Sequence, residues 1–370
     1  MTSFFPVSQP SIGDKEIAYV SDAVRSGWVS SLGRYIEDFE RQFAAFCGTR
    51  FALTTSNGTT AIHLALVALG IKAGDEVIVP DLTFIATANA VAYTGATPVM
   101  VDIDADTLCI SPAAAKRAIT PRTRAIMPVH LYGHPADMEA INAIAKDHGL
   151  VVIEDAAEAH GAECHGKRVG SLGRCGVFSF YGNKVITSGE GGMITTDDEL
   201  LYLTAKRLRD HAMSPTKRYW HEEIGYNYRM TNLQAALGVA QLERIDEFMT
   251  RRRDIMDWYR AGLGHRSDVR LNRDAPWARN AYWMVCMERP GMDDESRQQF
   301  MKNLRARGID SRPYFYPASD MPMYPNADTP QTHGISHSGI NLPSYVDLGR
   351  EDVQHICRQT EMALEETFAR

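Results

Sequence analysis

No two of the six cysteines form a CxxC pair; Cys47, Cys109, Cys164, Cys175, Cys286 and Cys357 are scattered over 370 residues. That spacing excludes a disulfide-dense scaffold and fits a reduced, cytoplasmic protein. Long apolar runs are also missing, and none approaches the roughly 20 residues that a membrane helix needs. The start, MTSFFPVSQPSIGDKE, has no basic patch followed by an apolar stretch, so neither secretion nor membrane insertion is expected. Positive charge is not in surplus: 39 Lys and Arg against 46 Asp and Glu leave a net charge of -7, which argues against a nucleic-acid partner. The one short basic run, TRRRD, with Arg251, Arg252 and Arg253, reads as the wet face of a helix. No GxGxxG follows the first strand, so a dinucleotide site has little support.

What is present is a large supply of core. With 44% hydrophobic residues the chain can bury a sizeable interior, and its length suits two domains or one domain with an appendage. Short apolar runs (DEVIVP, TPVMVDI, RAIMPVHLYG, GLVVIEDAA, GVFSFYG, GGMITT) alternate with helix-like stretches such as TTAIHLALVALG and DMEAINAIAKDHG. Continuous apolar strands separated by helices predict an α/β fold with a mainly parallel sheet covered on both faces. The last two runs leave no room for a helix between them and predict an antiparallel pair. Over residues 232–263 the apolar positions recur near every 3.6 residues, predicting one long helix that leads out of the large domain. Beyond it, AYWMVCM, the helical ESRQQFMKNLRARG and a proline-rich stretch predict a smaller α+β domain. The division is residues 1–250 and residues 251–370.

Three segments carry candidate chemistry. SNGTTAIHLAL places Gly58 and small polar residues just before a helix, where backbone N–H groups and the helix dipole favour an anion, although such residues also serve as plain caps. VVIEDAAEAHG ends a buried strand on Glu154 and Asp155, with Glu158 three residues on; ligands collect at strand carboxyl ends, and an acid there can equally cap the next helix. FSFYGNKVITSGEGGM brings Lys184 out of an apolar strand, with Ser179 before it and glycines after it. A lysine can snorkel to solvent from such a place. The apolar approach and the glycines instead suggest an amine presented to a pocket, where desolvation makes it a nucleophile. A phosphate cradle, a strand-end carboxylate and a presented lysine are what pyridoxal 5'-phosphate requires. Phe84 in PDLTFIA offers a face for the ring to stack on, or packs in the core.

The ordered set SNGTTA, PDLTFIATANA, MPVHLYG, IEDAAEAHGA, FSFYGNK with GEGGM, and GYNYRMTNLQAA resembles the DegT-type sugar-nucleotide aminotransferases of fold-type I, over nearly the whole chain. The resemblance implies that Lys184 bonds the cofactor, that Asp155 pairs with its pyridine nitrogen and that Phe84 covers the ring. Gly58, Thr59 and Ser179 match phosphate ligands, and Glu158 lies where the family places an acid or amide near the phenolic oxygen. Ala157 lies under the ring, and Asn227 matches an asparagine that reaches the phosphate of the other subunit, which implies a homodimer with composite sites. Within the family, WVSSLGRYIEDFE, RYWHEEIGYNYRMTN, RPYFYP, MPMY and GINLPSY favour transfer from L-glutamate to C4 of a GDP-linked 4-keto-6-deoxy sugar. PASDMP departs from the usual P-x-H-x-M-P, with Ser319 in place of histidine, so sugar recognition there is expected to differ. Lys217, Arg218, Tyr219, Trp220 and Arg312 are candidates for the substrate's diphosphate and base, or solvated surface.

Other classes are weighed against this one. His130 and His134 in HLYGH lack an HExxH helix or cysteine partners, so no metal is expected. Related dehydratases replace the lysine with histidine, whereas Lys184 is intact. A dTDP- or UDP-linked sugar, a keto-cyclitol, or a regulator that binds the cofactor without turnover are the further alternatives.

Overall fold

The computed structural model describes residues 4–368. The apolar runs become strands β1 (Phe51–Thr55), β2 (Glu76–Pro80), β3 (Thr97–Val101), β4 (Thr123–Ile126) and β5 (Val151–Asp155). After a short ribbon of β6 (Glu163–Cys164) and β7 (Lys167–Arg168) come β8 (Cys175–Ser179) and β9 (Gly192–Thr196). Seven of these form one sheet in the order β1-β9-β8-β5-β4-β2-β3. Every strand of it runs the same way except β9, which pairs antiparallel with both β1 and β8. The reason is the connection: residues 180–191 contain no helix, and a parallel return needs a long crossover. Gly192 therefore comes back directly opposite Ser179.

Residues of β2 are buried along their whole length and alternate between two layers. Ile78 belongs to the buried cluster that also holds Phe39, Phe43 and Ile141, whereas Val77 and Val79 belong to the one that holds Ile62, Leu64 and Val91. Both faces are thus covered, as uninterrupted apolar strands require. Parallel direction puts the carboxyl ends of β1, β2, β5 and β8 on one edge, which is where ligands collect in such sheets.

The small domain has strands β10 (Arg270–Leu271), β12 (Val285–Glu288), β13 (Arg312–Pro313) and β14 (Gly339–Leu342), while β11 (Ala278–Arg279) joins the β6–β7 ribbon. Helices Asp294–Ala306 and Arg350–Phe368 cover its sheet with Phe300, Leu304, Val353 and Ile356. No helix among the described residues is long and apolar enough to cross a membrane.

Three sequence expectations change here. The helix expected over residues 232–263 is two, Asn232–Leu242 and Ile245–Leu263, broken where Arg244 leaves helical geometry (φ -107°, ψ 4°) and folds onto Glu16 at 3.0 Å. The first piece is buried on nearly every side and the second along one stripe, so apolar residues continue across the break and leave it unmarked in the sequence. The second piece starts in the large-domain core with Phe248 and ends in the small-domain core with Met256 and Tyr259. The basic run on it is not a wet face. Arg252 is buried and its Nη1 donates to the carbonyls of Tyr282, Trp283 and Ser344, while Arg251 donates to Val346 and Leu348. Its spacing of four from both Phe248 and Met256 puts Arg252 on the inward stripe. Finally, Phe5 bridges to Ile309 and packs in the small-domain core, so the first described residues join the C-terminal unit rather than the 1–250 unit.

Candidate active site

A cavity of about 520 Å³ opens at the carboxyl edge of the large sheet, beneath the small domain. Its floor is built from sequence-local devices. Asn57 caps the helix Gly58–Ala68, its Oδ1 accepting from the Thr60 N–H at 2.9 Å, so the free N–H groups of the first turn face the cavity mouth. Gly58 is required by space: a Cβ there would stand 2.8 Å from the Ser179 Cβ. Gly58, Thr59 and Ser179 therefore form one cradle with room for an anionic group and none for another side chain.

Asp155, the last residue of β5, faces this space. Its Oδ2 accepts from the Thr87 hydroxyl at 2.7 Å and its Oδ1 from the Ala157 N–H at 3.2 Å, and burial raises its pKa above the ordinary value. Thr87 is held in turn by Thr83 at 2.9 Å. Glu158 accepts the Tyr132 N–H at 2.9 Å, and burial pushes its carboxyl up to about 7. Lys184 comes from the helix-free connection, and its Nζ lies 3.8 Å from Glu158 and 4.1 Å from the centroid of the Trp283 ring. Burial lowers its pKa, with Glu158 and Asp155 pulling the other way. Two buried carboxyls and a buried amine thus share a pocket that offers them few donors, an arrangement suited to a polar guest.

The cavity brings together Gly58, Thr59, Phe84, Asp155, Ala157, Glu158, Ser179, Lys184 and Arg312. Phe84 is about half exposed, with its centroid 5.8 Å from that of Phe315. Other predicted residues lie elsewhere. Asn227 is exposed, because Tyr226 and Tyr228 stack at 4.9 Å and turn to His63 on the other side of the backbone. Lys217, Arg218, Tyr219 and Trp220 sit on an exposed loop outside the cavity lining, with Lys217 Nζ 3.8 Å from the Trp220 centroid. Ser319 is a correction: it does not line the cavity but is buried, its N–H and hydroxyl donating to Asp81 at 2.7 and 2.8 Å. Residues that sequence reasoning missed are Thr87, Tyr132, Asn183, Trp283, Phe315 and Asn341. All but Trp283 lie inside motifs that carry the resemblance, which was the available signal, although no role was assigned to them.

His130 and His134 are structural. The Ala136 N–H donates to His130 Nδ1 at 2.9 Å, so Nε2 carries the proton and faces Glu154 at 3.1 Å. His134 is held by the Pro135 carbonyl at 2.7 Å and the Ala275 N–H at 3.1 Å.

Fold and cavity together define a pyridoxal-phosphate-dependent aminotransferase of fold-type I. The crystal structure of 3-amino-5-hydroxybenzoic acid synthase superposes with a TM-score of 0.93 at 32% identity, covering 99% of this chain and 100% of that one. The PLP form of Spr1654 from Streptococcus pneumoniae gives 0.94 at 28% identity, covering 99% of this chain and 100% of that one. The chain belongs to the DegT/DnrJ/EryC1/StrS aminotransferase family, whose model matches residues 10–361. Among curated relatives, GDP-perosamine synthase of Caulobacter vibrioides is 47% identical over 364 residues, covering 97% of this chain and 98% of its own. Pyridoxal phosphate is the cofactor, and the residues present fit it: a cradle sealed against a Cβ at Gly58, a buried carboxyl on β5 and a buried amine.

Proposed function

We propose that this protein moves the amino group of L-glutamate to C4 of GDP-4-keto-6-deoxy-D-mannose, giving 2-oxoglutarate and GDP-perosamine. The observation that carries the amino-transfer half is the buried Lys184 amine, 3.8 Å from Glu158 in the cavity that Asp155 also lines. The GDP-linked substrate rests on the relatives named GDP-perosamine synthase, such as that of Caulobacter vibrioides at 47% identity.

When bound, pyridoxal phosphate carries the amino group and withdraws electrons from the reacting carbon. The N–H groups of Gly58 and Thr59 and the Ser179 hydroxyl would hold its phosphate, Asp155 would pair with its ring nitrogen, and Glu158 would serve its phenolic oxygen. Phe84 would cover the ring, and Ala157 would leave room for it. Lys184 Nζ removes the proton from Cα of glutamate and returns a proton to C4 of the sugar. One base serves both steps only if it is neutral when its turn comes, which burial favours. Arg312, exposed at the cavity rim, suits the diphosphate.

We further infer a homodimer in which Asn227 and the loop of Lys217 to Trp220 serve the partner's cavity. Their exposure on the outer side of this chain supports that reading. Light scattering of the holoenzyme tests the dimer, and a monomer removes it.

The substrate is tested by incubating holoenzyme and L-glutamate with either GDP-4-keto-6-deoxy-D-mannose or dTDP-4-keto-6-deoxy-D-glucose. Mass spectrometry then follows 2-oxoglutarate and the amino sugar. Amination of the GDP sugar alone is expected. Amination of the dTDP sugar alone leaves amino transfer standing and removes the substrate assignment.

A further inference from the structure

Trp283 reaches the cavity from the small domain and touches the Lys184 segment twice. Its indole N–H donates to the carbonyl of Asn183, the residue before Lys184, at 2.7 Å. Its ring centroid lies 4.1 Å from Lys184 Nζ. The connection that bears Lys184 has little regular structure, only an isolated bridge between Tyr181 and Gly189. Besides Trp283, the Asn183 carbonyl accepts from Ser8 Oγ at 3.1 Å. A lysine with four rotatable bonds on such a loop needs an external stop if its amine is to serve two carbons in turn.

Trp283 is itself fixed from behind. It is buried, and its carbonyl accepts from Arg252 at 2.9 Å and from Ser344 Oγ at 3.1 Å. The Tyr132 ring stacks on it at 6.3 Å and 22°. Tyr132 (φ 53°) and Tyr282 (φ 46°) both adopt left-handed backbone, which non-glycine residues keep only where neighbours hold them. Gly133 passes so close that a Cβ there would stand 2.7 Å from the Trp283 backbone nitrogen. The indole is a rigid strut between the domains, with its far end on the lysine.

We propose that Trp283 is a positioning residue for amino transfer: its N–H sets the height of the Lys184 backbone, and its ring face is the surface on which the amine rests between proton transfers. The proposal rests on Lys184 being the reactive lysine. The ionisable groups around that amine are Glu158, Asp155 and, behind them, His160. All three come from the segment at and after the end of β5. Trp283 is the contact from outside that segment, and its negative ring face favours the ammonium form.

Two variants separate its contacts. W283F keeps a ring and loses the N–H; W283L loses both. For W283F, kcat is expected to fall about tenfold with KM for both substrates within about twofold, as a displaced base predicts. Amide hydrogen exchange over residues 182–186 in the cofactor-free protein should quicken. For W283L, acetylation of Lys184 in the cofactor-free protein, followed by peptide mass spectrometry, should begin about half a pH unit lower. Wild-type kcat in W283F overturns the proposal whatever the exchange shows, and so does an unshifted acetylation profile in folded W283L. If W283L does not fold, kcat and exchange of W283F decide alone. Wild-type protein that aminates no sugar removes the functional reading instead, and the labelling of Lys184 does not depend on it.

Discussion

Glu154 and Asp155 are neighbours on one strand, equally out of reach of bulk water, and treated in opposite ways by the fold. Glu154 accepts from His130 at 3.1 Å and from the N–H groups of Gly170, Leu172 and Gly173 at 2.7 to 2.8 Å. Its carboxylate is saturated by the protein and pins the loop before β8. Asp155 has two donors, Thr87 and Ala157, and its open side is the cavity. A buried carboxyl costs free energy unless it is fully hydrogen-bonded. The difference teaches where to look: the satisfied acid holds the structure, and the under-satisfied one waits for a guest.

The sharpest way to break that contrast is at the groups facing the guest. Lys184→Ala removes the base used in both halves of the reaction, and turnover should fall at least about 10³-fold while the fold survives. A coupled assay for 2-oxoglutarate, with circular dichroism as the control, checks it. Retained turnover at the wild-type rate would sink the assignment. The next largest effect reverses the pattern. Glu154→Ala leaves His130 and three backbone donors unpaired and should cost about 3–5 kcal/mol of stability. Asp155→Ala relieves a buried carboxyl and should change cofactor-free stability by less than about 1 kcal/mol while abolishing turnover. Urea unfolding measures both; equal losses in the two variants would erase the comparison.

This contrast was half legible in the sequence. Adjacent residues of a strand point to opposite faces, so one of the two acids had to face the cavity, and the motif resemblance selected Asp155. The sheet was legible for a related reason, because strands covered on both faces appear as unbroken apolar runs. Even the reversal of β9 showed, in the missing crossover between Ser179 and Gly192. The phosphate cradle, the acid and the lysine each sit in a short motif whose meaning is local. What stayed hidden depends on distant chain. Trp283 and Asn341 reach the cavity from the small domain, Trp283 from an apolar run and Asn341 from within GINLPSY, and in neither does the local sequence say that the side chain faces the site. The break at Arg244 has no local mark, and the residue that Arg244 meets there, Glu16, lies near the other end of the chain. Arg252 reads as surface from its charge, whereas its place on the helix stripe of Phe248 and Met256 buries it.

Glu158 gives a pH test of the same contrast. Burial lifts its carboxyl from the ordinary 4.5 to about 7, against the pull of Lys184 and the Tyr132 N–H. Between those values the folded chain holds a proton that the unfolded chain has lost. Its contribution is therefore fully present below pH 4.5 and is lost as pH rises through 7. The loss is about 3 kcal/mol, taking ~1.4 kcal/mol for each pH unit that separates the folded from the unfolded carboxyl. Glu158→Gln should remove this slope. In cofactor-free protein, the stability difference between wild type and variant should change by about that amount across the window. A difference that stays flat with pH would show that Glu158 is solvated, unlike its surroundings.

The smallest effect concerns Ser319, which sequence reasoning placed with the sugar. In the structure it belongs with Glu154 rather than with Asp155. Together with the Thr329 hydroxyl, its N–H and Oγ satisfy Asp81, just past the end of β2, and so tie the wall segment after Phe315 to the large domain. Ser319→Ala deletes one of these donors and keeps the other two. A loss of about 1 kcal/mol in stability is expected, since Asp81 remains mostly paired. The KM for the nucleotide sugar should not move, because the hydroxyl points at a carboxylate and not at the cavity. A several-fold rise in that KM with unchanged stability would return Ser319 to the sugar site and place Asp81, through it, among the groups that select the substrate.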